Sequence, residues 1–216
     1  FTYIDSGAMY RAVALKAIRL AVGMADHDRL GDVAREVSIE LTGHGRGPIL
    51  LDGEDVTLAI RSEDVGLTAS LMSTVPEVRV ALVEQQRGIG RGESCVMEGR
   101  DIGTVVFPNA DLKVFLVASL EERARRRYEQ SVEQGAADPR GGTGGGAGPA
   151  IAEIARGIAE RDKRDSTRAD SPLRKADDAV EIDTTSLTIE QQVDRVIELA
   201  IAREAGLTDG REARPR

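Results

Sequence analysis

At 216 residues and 41% apolar, the chain can bury a sizeable core, and a formal charge of −8 argues against a general nucleic-acid binder. The single cysteine, Cys95, excludes an internal disulfide, and no run of about eighteen apolar residues exists to span a membrane. His27 and His44 stand in polar contexts without metal-ligand spacing and read as surface residues.

The pattern begins with the end of a strand at 2–5 and a helix over 8–20 with apolar positions Met9, Val13, Leu15, Ala17 and Leu20. A second helix covers 28–36. Segments 38–42 and 48–51, separated by Gly43-His44-Gly45-Arg46-Gly47, form an antiparallel hairpin, and Gly53-Glu54-Asp55 turns the chain again. Helices follow at 62–72 and 76–88, and Gly88-Ile89-Gly90-Arg91-Gly92 reads as a loop. The runs 94–98, 112–117 and 179–182 are short and nearly continuously apolar, which suits parallel strands covered on both faces, with Cys95 a buried small hydrophobe in the first.

Ser119-Leu120-Glu121-Glu122 is a capping box opening an arginine-rich helix, and Thr188-Ile189-Glu190-Gln191 opens the last one. In that last helix Ile189, Val193, Val196, Ile197, Ala200 and Ile201 form a stripe that predicts a core-facing surface. Residues 135–150 include seven glycines and cannot pack a core; a hinge-rich lid extension and a tolerated loop insertion both fit. The polar segment 206–216 reads as a disordered tail.

Three segments carry chemistry. In Met97-Glu98-Gly99-Arg100-Asp101-Ile102-Gly103-Thr104-Val105-Val106-Phe107-Pro108 an apolar run stops at two opposite charges after a glycine that admits a close approach of ligand and backbone. Ligands collect beyond the carboxyl ends of strands in open α/β sheets, so a site is expected there. Its company is Asp5-Ser6-Gly7-Ala8-Met9-Tyr10-Arg11 and Glu160-Arg161-Asp162-Lys163-Arg164-Asp165-Ser166-Thr167-Arg168. The cationic clusters Arg123, Arg125, Arg126, Arg127 and Arg161, Lys163, Arg164, Arg168 suit a small polyanion, or else are solvated helix faces.

From residue 1 to about 202, these three segments in this order resemble the bacterial cytidylate kinase family of nucleoside monophosphate kinases. The resemblance implies an α/β fold: a P-loop kinase-type parallel sheet flanked by helices, with an acceptor-binding insert over about 37–92, a lid region over about 123–168 and a single domain over 1–205. It implies phosphorylation of CMP and dCMP by ATP with Mg²⁺, in the bacterial cytoplasm, by a monomer without nucleic-acid or membrane partners. Phosphoryl transfer asks the protein to clamp charge in line and exclude water, which arginines and glycine turns do. By resemblance, Ser6, Arg11, Arg100 and Arg168 hold the acceptor's α-phosphate. Asp101 reads the cytosine amino group, with Arg79 and Ser70 on the ring's acceptor edge, because cytosine donates at N4 where uracil accepts. Asp165 takes the sugar and is ordered by Arg161, one helical turn away. Arg123, Arg126 and Arg127 stand where the family's donor-side arginines face ATP, and Arg161 counts with them as catalytic while it orders Asp165.

The family's phosphate-binding loop, G-x-x-x-x-G-K-[ST], has no counterpart here, because no glycine-rich segment ends in Gly-Lys-Ser or Gly-Lys-Thr. The chain opens on Phe1, so the expectation is that roughly thirty residues, one strand, one loop and one helix, precede it, and that the chain alone is inactive. A non-catalytic nucleotide-binding protein and a UMP-preferring kinase stand as alternatives, and the carboxylate at Asp101 disfavours the second.

Overall fold

The computed structural model describes residues 1–92, 94–133, 147–168 and 170–206, with the side chains of 147–149 left aside. Most of the glycine-rich run and the tail beyond 206 lie outside the described residues. The described chain divides into two compact units, 1–108 with 164–174, and 109–163 with 175–216.

In the first unit, β1 (Thr2–Asp5) leads directly into α1 (Ser6–Arg19). The switch is made by Asp5, whose carboxylate accepts from the Ala8 amide at 2.9 Å and satisfies one of the orphan donors of the helix start. Ala8, Met9, Ala12, Val13, Leu15 and Ala17 then fall on a buried face. This face packs on α3 (Glu63–Met72) and on α2 (His27–Glu36), which in turn packs on α4 (Pro76–Gly90). Together with Ile4, Leu30, Val78 and Leu82 they form one continuous core.

The expected hairpin is present as β2 (Ile39–Leu41) and β3 (Ile49–Leu51), and the turn after it adds a two-residue strand β4 (Glu54–Asp55), giving a three-stranded antiparallel sheet. Gly45, at φ 83°, is fixed by packing as well as by conformation, since a Cβ there would lie 1.9 Å from the Tyr3 carbonyl oxygen. The glycines at 88 and 90 do not open a loop; α4 continues through Gly90, and a Cβ at Gly90 would strike the Phe107 ring, so that glycine serves close packing inside a helix.

β1 pairs in parallel with β5 (Cys95–Glu98), in the register Thr2↔Cys95 to Asp5↔Glu98. This pairing ends both strands at one level and sets Ser6 beside Gly99. In the second unit, β6 (Val114–Val117) pairs in parallel with β7 (Val180–Asp183), accompanied by α5 (Leu120–Glu133), α6 (Ala147–Thr167), which passes its last residues to the first unit, and α7 (Ile189–Glu204).

Parallel pairing is as the sequence predicts, but coverage on both faces is not. Val96 is 54% and Leu116 55% exposed, and among the described residues β5 bonds only to β1 and β6 only to β7. The α7 stripe is a second correction. The capping box at Thr188 and Gln191 forms as expected, yet no residue of the helix is buried, and Ile189, Val193, Ile197 and Ile201 are all exposed. The six positions fall within roughly 140° of the helix circumference, so the apolar face exists, but none of its residues is buried. The box at Ser119 is half made: its hydroxyl accepts from the Glu122 amide, whereas its own amide donates to Thr185 Oγ1 and the Glu122 carboxylate turns to arginines.

Candidate functional site

The paired ends of β1 and β5 are bound together by Ser6, whose hydroxyl donates to the Glu98 carbonyl at 2.7 Å. A Cβ on Gly99 would come within 2.3 Å of that hydroxyl oxygen and 2.7 Å of the Ile102 side chain. Gly99 is therefore required by internal packing, whatever ligand approaches it. Arg100 and Asp101 leave the turn in different company, and a π-type turn at Ile102–Val106 follows, with amides of 104–106 converging on the Asp101 carbonyl.

Asp101 is buried and meets a buried arginine from α4: Arg79 Nη2 donates to Asp101 Oδ2 at 2.5 Å. Arg79 Nη1 reaches the Tyr10 hydroxyl at 3.4 Å and the Ser73 carbonyl at 3.5 Å, and its Nε lies 3.4 Å from Asp170 Oδ2. Arg168 brings a second buried guanidinium, 3.9 Å from Asp101 Oδ2 and 4.0 Å from Asp165 Oδ1, while its Nε donates to the Ser171 carbonyl at 2.6 Å. Asp165, 2% exposed, also faces Arg100 Nε at 3.5 Å, and Arg164 Nη1 donates to Ser70 Oγ at 2.5 Å.

Burial in this cluster acts on its titratable members. It raises the Tyr10 phenol to about 12, with Arg79 opposing and Asp101 adding to the shift. Arg168 is pushed below the usual guanidinium range, first by burial and then by Arg79; Arg79, although burial works against its charge, is held above that range by Tyr10, Asp101 and Asp170. Two like charges thus sit in one low-dielectric cluster and depend on the carboxylates around them. Two of their donors remain unused: Arg79 Nε and Arg168 Nη2 are buried and make no hydrogen bond among the described residues. Unsatisfied buried donors of this kind cost about 1–3 kcal/mol each, or more when charged, and are suited to an anionic or acceptor-bearing ligand.

The structure thus gathers Ser70, Arg79, Arg100, Asp101, Asp165 and Arg168 into one polar network. Ser6 lies at its edge, with its hydroxyl donated to the backbone, and Arg11 donates to the Ile60 carbonyl at 3.0 Å. Sequence reasoning missed Tyr10, Arg164 and Asp170. Tyr10 stands in the segment 5–11, one helical turn after Ser6, and Arg164 shows in the sequence only as one of a cationic cluster. Asp170 carries no signal in the sequence. A pocket of about 460 Å³ opens beside the network, lined by Arg79 and Asp170 and by Val80, Val83, Arg87 and Val105 among others.

The arginine-rich helix α5 belongs to the second unit, and its own acids neutralise two of its arginines. Arg125 pairs with Glu122 and Glu129, and Arg126 with Glu122, whose carboxyl is held at about 2 by Arg125 and then Arg126. Arg123 Nη1 donates to Asp162 Oδ2 at 2.5 Å, and Arg127 Nη1 to Gln130. Arg126 reaches furthest, donating to the carbonyls of Thr184 and Leu187 just beyond β7. Arg161 is exposed on α6. No group of three or more His, Cys, Asp or Glu suited to a metal occurs among the described residues, and none of the described helices is long and apolar enough to cross a membrane.

Parallel strands flanked by helices, with charged residues gathered at the strand ends, place the chain among α/β proteins of the P-loop kinase type. The comparisons with known proteins are more specific. The family model for cytidylate kinase matches residues 1–202. A cytidylate kinase of Solibacter usitatus is 47% identical across 98% of this chain and 85% of its own length, and one of Geobacillus kaustophilus is 45% identical across 94% and 86%. Another, from Caldanaerobacter subterraneus subsp. tengcongensis, is 46% identical across 92% and 82%. The chain belongs to the cytidylate kinase family.

Proposed function

We propose that the buried network is the acceptor site of a kinase that transfers a phosphoryl group from ATP, with Mg²⁺, to CMP and dCMP. The observation that carries this reading is the pair of buried guanidiniums, Arg79 and Arg168, set around one carboxylate, Asp101, each with a donor left over. Asp101 accepts from the cytosine amino group, and Arg79 and Ser70 donate to the acceptor edge of the ring. Arg100 and Arg168, with Ser6 and Arg11, bind the α-phosphate, for which a guanidinium fork is better matched than an ammonium. Asp165 accepts from the sugar, with Arg161 ordering it. Arg123, Arg126 and Arg127 serve the donor nucleotide. Mg²⁺ would be held chiefly by the nucleotide phosphates, whose oxygens it prefers, the described residues offering no cluster of three or more ligands for it. Its contribution when bound is to neutralise charge on the transferred group.

Calorimetric titration with CMP, dCMP and UMP tests the acceptor reading, and a coupled ATP-consumption assay tests transfer. CMP and dCMP should bind more tightly than UMP. Asp101→Asn keeps an oxygen for Arg79 but presents amide donors, so it should bring UMP level with CMP or ahead of it. An Asp101→Asn protein with the parent's CMP-to-UMP ratio would remove base reading from Asp101.

A further inference from the structure

Arg79 faces two carboxylates along one edge, hydrogen-bonded to one and paired with the other by charge alone. The Nε and Nη2 hydrogens of a guanidinium point the same way and together fit both oxygens of a single carboxylate. In this protein they are divided instead: Nη2 takes Asp101 Oδ2 and Nε faces Asp170 Oδ2. Asp101 consequently keeps Oδ1, which accepts no hydrogen bond among the described residues.

The turn that places Asp170 is itself constrained. Ser171 adopts φ 50°, a left-handed conformation that costs a serine energy, and its hydroxyl donates to Asp170 Oδ1 at 3.0 Å while its carbonyl accepts from Arg168 Nε. One strained turn therefore presents a carboxylate to Arg79 and a carbonyl to Arg168, the two buried cations of the site. Asp170 is half exposed, in contrast to the groups it faces, so little of the fold depends on it.

We propose that Asp170 is a positioning residue that sets base specificity: by occupying the Nε side of Arg79 it keeps that arginine on one oxygen of Asp101 and leaves the other oxygen for the amino group of the nucleobase. This rests on the acceptor reading above. Without the Asp170 charge, Arg79 can swing its whole edge onto Asp101 as a bidentate pair, and the oxygen meant for cytosine is consumed inside the protein. Uracil, which presents an acceptor at that position, loses nothing by the change.

The test is titration of the parent, Asp170→Asn and Asp170→Glu with CMP and UMP, beside thermal melts of all three. Asparagine retains the size of the side chain and an oxygen for the Ser171 hydroxyl, while the carboxylate facing Arg79 Nε gives way to an uncharged amide donor. We expect Asp170→Asn to weaken CMP about fivefold or more and UMP less than twofold, at an unchanged melting temperature, with Asp170→Glu recovering at least half of the CMP loss. In turnover the CMP defect should fall on KM and leave kcat within twofold. A CMP-to-UMP ratio within twofold of the parent's would overturn the proposal, as would equal losses for both nucleotides together with a lowered melting temperature. A parent that fails to distinguish CMP from UMP would overturn the acceptor reading first and this inference with it, so the two failures are separable.

Discussion

The buried arginines of the first unit and the exposed arginines of α5 in the second are paired in opposite ways. In the first, Arg79 and Asp101 are 22 residues apart in sequence and both buried, and Arg164 reaches Ser70 across 94 residues. In the second, Arg125 finds Glu122 and Glu129 within four residues of itself on an exposed helix face. A local exposed pair gives up little hydration and gains little; a buried pair has exchanged its water for a single partner, so the whole penalty of desolvation appears when that partner is lost. A high density of arginine does not by itself identify a binding site. The arginines that are expensive to keep do.

The largest effect that would sharpen this contrast is expected at Asp101. Asp101→Ala strands Arg79 and deprives Arg168 of a neighbour, and breaking a buried pair from one side costs about 3–5 kcal/mol. At roughly 2–4 °C per kcal/mol for a chain of this size, the melting temperature should fall by about 10 °C. The double variant Arg79→Met, Asp101→Leu removes both charges and should recover much of the loss. A single variant that melts with the parent would show the cluster to be solvated and the contrast between units to be false.

What was legible in the sequence follows the same division between local and distant causes. The strand end at 2–5, the hairpin, the capping box at Thr188 and the parallel-strand segments depend on neighbours within a few residues, and each stands within a residue or two of its expected place. The juxtaposition of residues 79, 101, 165 and 168 is not local; it came from resemblance, since nothing in the spacing of these residues sets them together. Asp170 was invisible for that reason: its meaning depends on Arg79, 91 positions earlier, and on the left-handed turn at Ser171. The α7 stripe failed differently. Periodicity shows that a helix has an apolar surface, but not that anything covers it.

A second, smaller effect separates the buried network from the surface by pH. The Tyr10 phenol ionises near 10 when unfolded and at about 12 in the folded chain, chiefly through burial. A folded value above the unfolded one means the native state holds its proton longer. Stability is therefore full below about pH 10 and declines as pH rises toward 12, by about 2–3 kcal/mol for this residue. Urea midpoints from pH 8.5 upward, within reach of roughly pH 11, should fall, and Tyr10→Phe should flatten the slope. Some slope should survive, because burial and Glu98 raise Tyr3 as well. A slope identical in parent and Tyr10→Phe would place Tyr10 in water.

The smallest effects test the second unit against itself, because α5 carries both kinds of arginine three positions or fewer apart. Arg126 donates to the carbonyls of Thr184 and Leu187 and to Thr184 Oγ1, and thereby fastens the helix to the segment after β7. Removing it leaves these acceptors to find water, at a cost of about 1–3 kcal/mol if they remain shielded. Arg125, itself exposed, has only the carboxylates of Glu122 and Glu129 within one helical turn for partners, and solvent replaces them on its loss. Arg126→Ala should accordingly lower the melting temperature by several degrees, whereas Arg125→Ala should leave it unchanged within error, and 0.5 M salt should not alter the difference, because the Arg126 bonds end on backbone carbonyls. If Arg126 instead serves the donor nucleotide without holding the fold, Arg126→Ala would melt with the parent and lose ATP affinity alone. Measuring both quantities on the two variants therefore decides whether this arginine is committed to the protein or held for a ligand, a question that its place in an arginine-rich helix leaves open.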